Sequence, residues 1–170
     1  TQSSQWLDYL EDQFLFVKSL PKILQDLLTV RLFPIDYGWE QEKRWMDQFP
    51  DIVLDLGKKD IKELIAKSRI YISTYNAGTY LQAFSMDIPT VIFWNPKHWE
   101  LRDSSKLYFD DLKKVGIFHN NPQSAAIHIS EVWDDVNIWW KSKSVRKTLE
   151  KFNNQFSNIN CDILSNIESE

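Results

Sequence analysis

Apolar residues recur at every third or fourth position through the first part of the chain. This spacing places them on one face of a helix, so we predict an amphipathic helix over residues 5–28. Pro21 falls inside this pattern and predicts a kink or a division there, because proline removes a backbone donor from a helix interior. A short β-rich run at 28–33 follows, ended by Pro34, and a further short helix is predicted at 39–49.

Beyond residue 52, short apolar runs alternate with amphipathic segments. Such alternation is typical of βαβ units, in which helices connect parallel strands and cover the sheet. We therefore predict an α/β fold, a Rossmann-like parallel sheet of about five strands with flanking helices. The later strands are expected at 52–56, 69–73, 89–94 and 115–118, and the helices at 60–67, 79–86, 99–114, 124–140 and 142–156.

The chain has 170 residues, which is about the length of one domain. We predict a single α/β domain over 1–170, made of a leading helix at 1–27, an α/β core at 28–120, C-terminal helices at 121–156 and a frayed tail at 157–170. The chain begins Thr-Gln-Ser-Ser without an initial Met, so we expect it to be a piece of a longer protein.

Composition excludes several classes of protein. Only four Gly and six Pro occur and 43% of the chain is hydrophobic, which excludes a disordered or low-complexity chain. The formal net charge of −4 argues against a general nucleic-acid binder. Cys161 stands alone, which excludes an intrachain disulfide and suits a reducing compartment. We expect a cytoplasmic location, with the inner face of the cell membrane as the alternative, and no transmembrane segment, since no uncharged run approaches ~20 residues.

The first candidate site is the small-residue turn at 73–79, between a predicted strand and a predicted helix. The free amides of a helix's first turn, at its positive dipole end, can bind an anion. Gly78 allows a ligand to approach the backbone closely, and further donors come from Thr74, Asn76 and Thr79. The alternative is an ordinary turn, in which Asn76 or Thr79 caps the helix.

The second candidate site follows the most hydrophobic predicted strand, over residues 94–102. The aromatic Trp94 could stack on a base or a sugar, and Arg102 offers a planar fork for a phosphate or a carboxylate. Glu100 either binds hydroxyl groups or is an ordinary acid in the first turn of a helix. We expect His98 to be a surface residue rather than a catalyst, since no Cys or Ser nearby would use it as a base.

A third candidate is Arg31, which lies in an apolar strand. A buried unpaired charge is costly, so its guanidinium should face either a ligand anion or a carboxylate, with Asp36 and Asp55 as the choices. The chain contains no Asp-x-Asp, no P-loop and no G-x-G-x-x-G. These absences argue against a kinase-like site, a Rossmann dehydrogenase and a glycosyltransferase that chelates a metal with paired aspartates.

From residue 73 onward, a small-residue turn is followed by Leu81-Gln-Ala-Phe84, a short link, Pro89-Thr90 and a strand. This order resembles the carboxy-terminal half of GT-B glycosyltransferases and of the related glycerophosphotransferases. A closer likeness, over roughly residues 28–156, is to transferases of bacterial surface-carbohydrate biosynthesis. Two residues depart from the wider group, which often has Glu at Gln82 and Gly at Asp87. The marks of the likeness are Val30-Arg-Leu-Phe-Pro34, Tyr75-Asn76, Ile92-Phe-Trp-Asn-Pro96, Trp99-Glu-Leu-Arg102, Val115-Gly-Ile117 and Trp139-Trp140.

The resemblance implies the donor-binding half of an enzyme whose donor is a nucleotide-activated sugar, bound without a metal or other cofactor. GT-B enzymes commonly carry the catalytic base on the amino-terminal half, which we expect this chain to lack. No catalytic residue is therefore assigned, and the chain alone is expected to turn over no donor. The resemblance implies that Arg31, Thr74, Asn76, Gly78, Thr79 and Arg102 hold the donor's phosphate, and that Trp94, Asn95 and Glu100 contact its nucleoside or sugar.

Two other functions stay open. The first is a nucleotide- or glycan-binding module without chemistry, which would bind a ligand at the same turn and never turn it over. The second is a flavodoxin-like signalling or scaffold domain, for which Asp36, Asp51 and Asp55 would supply an acidic cluster at strand ends. Magnesium-dependent binding of a phosphoryl analogue would favour that domain, and nucleotide binding without a metal would favour the transferase.

Overall fold

Five short strands form where the sequence carries apolar runs. The computed structural model describes residues 3–157. Every predicted strand is present within them, each shorter than predicted, and the last begins at the final residue of its predicted range. The strands are Thr29–Arg31 (β1), Val53–Asp55 (β2), Tyr71–Ser73 (β3), Thr90–Phe93 (β4) and Phe118–His119 (β5).

Helices connect and flank these strands. The predicted helix at 5–28 is divided at Pro21, as its sequence indicated, and the predicted helix at 124–140 is also divided, after Val132. The helices of the described residues are Trp6–Ser19 (α1), Lys22–Gln25 (α2), Gln41–Gln48 (α3), Ile61–Lys67 (α4), Thr79–Ser85 (α5), Asp103–Lys114 (α6), Pro122–Val132 (α7), Val136–Trp140 (α8) and Lys143–Phe156 (α9).

The strands form two parallel sheets. β1 pairs with β2, with Arg31 opposite Asp55, and β4 lies between β3 and β5. The α/β class and the parallel direction are confirmed, but the described residues do not form one continuous sheet of five strands. Strands this short offer few ladder hydrogen bonds, and side chains join the sheets instead. One hydrophobic cluster contains Val30 and Leu54 of the first sheet and Ile72 and Phe93 of the second.

Strand β4 is buried along its whole length and separates two hydrophobic clusters. Successive side chains of a strand point to opposite faces. Val91 and Phe93 therefore pack in the first cluster, with residues of α1 and α7. Ile92 and the next residue, Trp94, pack in the second, with residues of α6 and α9. Burial on both faces is what the continuous apolar run of this strand predicted.

The tail predicted to fray, 157–170, lies outside the described residues except for Ser157. No helix within residues 3–157 is both long enough and apolar enough to cross a membrane.

Two histidines lie next to Gly116, which follows α6: His119 at the end of β5 and His128 on α7. Gly116 has a φ of +78°, a left-handed conformation that favours glycine, and the imidazole of His128 lies directly against it. His119 Nε2 donates a hydrogen bond to the Gly116 carbonyl at 3.0 Å, and its Nδ1 faces the Ser124 hydroxyl at 3.2 Å. Burial lowers the pKa of His119 to about 4 and the pKa of His128 below its ordinary value.

Gly116→Ala is expected to destabilise the protein through two effects. The left-handed conformation disfavours alanine by about 1–2 kcal/mol, and the added methyl group would overlap the His128 ring, which adds about 1–3 kcal/mol. Gly38→Ala is the matched control, because Gly38 also has a positive φ, +85°, but has open space around it. Urea unfolding of both variants gives the difference. Equal losses of unfolding free energy would show that His128 does not restrict this position.

Stability should fall as the pH is lowered from about 6.5 to about 4. The folded-state pKa of His119 is about 4, against an ordinary value of 6.5, so in this window the unfolded chain binds the proton and the folded chain does not. The contribution of the neutral His119 to the free energy of unfolding is fully present above pH 6.5. By pH 4 this free energy has fallen by on the order of 2–3 kcal/mol. His119→Gln should flatten this dependence when unfolding is measured at several pH values. If His119→Gln keeps the wild-type dependence of unfolding free energy on pH, His119 is not the cause of the loss of stability.

Candidate functional site

The carboxyl ends of β3 and β4 meet at a small cavity, because the two strands are parallel neighbours. Its volume is about 10 Å³, which is room for about one water-sized atom. Two of its walls follow the strands, and the third comes from α1, which crosses the same edge of the sheet. The lining residues are Thr74 after β3; Phe93, Trp94, Asn95, His98 and Trp99 along the end of β4 and beyond it; and Tyr9 and Asp12 on α1.

Tyrosine hydroxyls hold the turn between β3 and α5 in place. Burial raises the pKa of Tyr80 to about 12 and raises the pKa of Tyr9 and Tyr71, so all three hydroxyls keep their protons at neutral pH. Each one bonds to a side chain that the sequence placed in the phosphate site. The Tyr9 hydroxyl lies 2.8 Å from Thr74 Oγ1, Tyr71 donates to Thr79 Oγ1 at 2.9 Å, and Tyr80 donates to Asn76 Oδ1 at 3.1 Å.

The backbone of this turn keeps free donors. Gly78 immediately precedes α5, and the amides of residues 78–81 donate to no acceptor within the described chain. Gly78 has an ordinary helical φ of −64°, and a Cβ there would meet nothing within 4 Å. A larger side chain at this position would therefore fill the space in front of the turn without straining it.

Trp94 is enclosed rather than exposed. Its side chain is only 2% exposed, and its ring packs against Tyr80, Phe109 and Phe118. The interpretation of Trp94 as a stacking surface is therefore wrong for this conformation, because both faces of the ring are occupied by the core. Its indole Nε1 is buried and has no hydrogen-bond partner among the described residues.

His98 is not the surface residue that the sequence suggested. Its side chain is 14% exposed, because the segment after β4 folds it back against α1. Its Nε2 lies 3.7 Å from Asp8 Oδ2, and its buried Nδ1 has no partner in the described part of the chain. Burial raises the pKa of Asp12, and the nearby His98 opposes that shift. The cavity is thus lined by the His98 imidazole and the Asp12 carboxylate, and the same imidazole also faces Asp8 of α1.

Arg31 faces a carboxylate of the protein, one of the two partners that the sequence left open. Its Nη1 forms a 2.8 Å ion pair with the buried carboxylate of Asp55, directly across the β1–β2 ladder. Its guanidinium also donates to the backbone carbonyls of Lys59 and Gly57. Asp36 binds the amides of its own loop at Trp39 and Gln41. Asp36 and Asp55 therefore do not form the open acidic cluster that a flavodoxin-like domain would use.

Arg102 and Glu100 are exposed and do not line the cavity. Arg102 immediately precedes α6, and its guanidinium has no ion-pair partner within residues 3–157. Asn95 does line the cavity, and its side-chain oxygen accepts a 3.0 Å bond from the Lys97 amide, which leaves its NH₂ group available. Of the nine predicted site residues, the structure brings Thr74, Trp94 and Asn95 together at the cavity.

A wider, open cleft of about 400 Å³ lies between the far end of α5 and α9. It is at the amino-terminal edge of β4, whereas ligands in parallel sheets bind beyond the carboxyl ends. Asp87 lies there with a φ of +56°, a left-handed conformation that favours glycine. Its carboxylate accepts a hydrogen bond from Trp140 Nε1 and pairs with Arg146, so this side chain joins the turn before β4 to α8 and α9.

A comparison with protein families matches residues 1–170 to a model described as LIC12162 family transferase. The match therefore spans the whole chain. No curated protein and no solved structure shows a significant match to this chain.

Tyr9→Phe should lower the free energy of unfolding by about 1 kcal/mol, because it removes the hydroxyl that bonds Thr74 across the α1–β3 contact. Tyr37→Phe is the control, since the Tyr37 side chain is 63% exposed and its hydroxyl bonds to no described residue. We expect that control to change stability by less than about 0.5 kcal/mol. Denaturant unfolding curves measure both. Indistinguishable curves for Tyr9→Phe and wild type would contradict the role given to this bond.

Proposed function

We propose that this chain, which belongs to the LIC12162 family of transferases, binds the nucleotide-activated sugar donor of a glycosyltransferase in bacterial surface-polysaccharide biosynthesis. The observation that carries the proposal is the cavity at the carboxyl ends of β3 and β4, which is lined in part by Trp94 and His98, two residues whose buried Nε1 and Nδ1 have no partners among the described residues. Parallel α/β sheets bind ligands at this edge. The resemblance of residues 28–156 to GT-B transferases supplies the class of donor.

The two buried nitrogens favour a ligand oxygen. A buried donor without a partner costs about 1–3 kcal/mol, so proteins usually retain one only where something else satisfies it. The indole N–H of Trp94 can only donate, so its partner must be an acceptor such as a hydroxyl or phosphate oxygen. The cavity holds about one such atom, which means that the rest of the donor lies outside it, across Thr74 and Asn95.

The donor's phosphate is assigned to the turn before α5 and to Arg102. The free amides of residues 78–81 and the open space at Gly78 let an anion reach the backbone. Arg102 supplies a guanidinium without a competing carboxylate among the described residues, whereas Arg31 is held by Asp55 and is the weaker candidate. These groups would stabilise the charge of the departing nucleotide without a metal.

The nucleoside is assigned to the aromatic rim of the cavity. The rings of Tyr75 and Trp99 have centroids 5.9 Å apart, and Tyr75 is 36% exposed. They take over the stacking role that the enclosed ring of Trp94 cannot fill. Asn95, which lines the cavity, and the exposed Glu100 would then bind hydroxyl groups of the ribose or of the sugar, as the resemblance implies.

Gly78→Val and Arg102→Ala should each weaken nucleotide binding. The valine would occupy the space of the phosphate, and loss of the arginine removes a charge-assisted contact worth about ten- to a hundredfold in affinity. Arg102→Lys should restore only part of the loss, because lysine lacks the planar fork. Lys141→Ala is the control, since it removes one exposed charge elsewhere. Calorimetric titration of the chain with nucleoside diphosphates and monophosphates measures these affinities.

Each variant is first compared with wild type by circular dichroism and thermal melting, because a folding defect would mimic a binding loss. If the folded Gly78→Val and Arg102→Ala proteins bind nucleotides with wild-type affinity, the phosphate does not bind at this turn. Absence of binding by any nucleotide in the panel would count against the donor proposal itself.

A further inference from the structure

Asp12 lines the candidate cavity, and none of the roles assigned above uses it. The side chain lies half-buried on α1, and its carboxylate accepts no hydrogen bond from any residue within 3–157. Burial raises the pKa of this carboxyl group; the nearby His98 imidazole opposes the rise, whereas Asp8 and Glu11 add to it. Burying a charge without a hydrogen-bond donor is costly, so a carboxylate kept at a cavity favours a donor that arrives with a ligand.

The other polar groups of the cavity wall have the opposite polarity. Asn95 Oδ1 is occupied by the Lys97 amide at 3.0 Å, so the NH₂ group is the part of Asn95 left for a ligand. Trp94 also belongs to the lining, and its buried indole N–H has no partner in the described part of the chain. These two groups can only donate, whereas the Asp12 carboxylate can only accept. Donors and an acceptor thus surround room for about one water-sized atom.

This combination favours a hydroxyl group over the other polar groups of a ligand. A hydroxyl oxygen accepts hydrogen bonds while its hydrogen is donated, so it can satisfy Asn95 and Asp12 together. A phosphate oxygen only accepts, and its negative charge would be repelled by the carboxylate of Asp12. An ammonium group only donates, which would leave the NH₂ group of Asn95 without an acceptor.

We propose that the cavity takes one hydroxyl group of the donor, which donates to the Asp12 carboxylate and accepts from the Asn95 NH₂ group. This inference rests on the proposed function and makes Asp12 a further residue that determines its specificity. The hydroxyl group belongs either to the ribose or to the transferred sugar, and the experiment separates the two. The donor's phosphate keeps its place at the turn before α5, away from this carboxylate.

The test is calorimetric titration of the 170-residue chain with three probes that share a base and two phosphates. They are UDP-glucose, UDP and 2′,3′-dideoxy-UDP, which lacks both ribose hydroxyls; GDP-mannose, GDP and 2′,3′-dideoxy-GDP form a parallel series. Asp12→Ala should weaken the hydroxyl-dependent binding by about ten- to a hundredfold, as expected for a hydrogen bond to a charged group. The affinity for the dideoxy probes should stay unchanged or rise. Glu11→Ala is the matched control, because it removes an exposed acid from the neighbouring position of the same helix.

The pattern of losses identifies the hydroxyl group. A loss confined to UDP-glucose or GDP-mannose assigns it to the transferred sugar. An equal loss for the nucleotide sugar and the nucleoside diphosphate, absent with the dideoxy probe, assigns it to the ribose. An equal loss with all three probes, no loss with any of them, or the same loss in Glu11→Ala overturns the inference, while nucleotide binding that depends on Arg102 would retain the donor proposal. Absence of binding by every probe overturns both.

Asp12→Asn distinguishes a ligand-binding role from a structural one. Because burial raises the pKa of Asp12 in the folded chain, its charged form costs stability at neutral pH. The uncharged variant keeps the shape of the side chain, so it should melt at or above the wild-type temperature while it loses part of the hydroxyl-dependent affinity. A melting temperature well below that of the wild type would show that Asp12 supports the fold, and would overturn the inference.

Discussion

The fold depends on the burial of β4 on both faces. Its alternate side chains enter two different hydrophobic clusters, so α1 and α7 must cover one face and α6 and α9 the other. The strand cannot shift by one residue without exchanging Phe93 and Ile92 between these clusters. Its register with β3 and β5 is therefore fixed by packing, and with it the position of the residues that follow, from Trp94 to Trp99. The core thus places the candidate site, although the site's polar residues contribute little to the core.

The same packing explains why polar atoms are held at the cavity. Helix α1 covers the first cluster and, through Tyr9 and Asp12, also closes the carboxyl edge of β3 and β4. The Tyr9 hydroxyl then bonds Thr74, which ties the turn before α5 to a helix far away in sequence. Trp94 contributes its ring to the second cluster and leaves its N–H without a described partner. In the proposed function, this N–H is the donor that binds a ligand oxygen.

Much of this fold could be predicted from apolar patterning, because buried strands and amphipathic helices leave local signatures. The division at Pro21 and the double burial of β4 were predicted in this way. The separation of the strands into two sheets was not predicted, because the pairing of strands of two to four residues depends on long-range packing. Sequence also identified Thr74, Trp94 and Asn95 near strand ends. It missed Tyr9, 65 positions from Thr74, and misjudged His98 and the ring of Trp94. Only the folded chain shows that α1 covers His98 and that side chains of α5, α6 and β5 enclose the Trp94 ring.

The central claim is that an activated donor binds at the carboxyl ends of β3 and β4. Co-crystallisation of the chain with a panel of nucleotide sugars tests it most directly. We expect a phosphate against the amides of residues 78–81 and the Arg102 guanidinium, with a ligand oxygen within hydrogen-bond distance of Trp94 Nε1. A nucleotide bound instead in the cleft between α5 and α9, beside Asp87 and Arg146, would show that the donor does not bind at the carboxyl ends of β3 and β4.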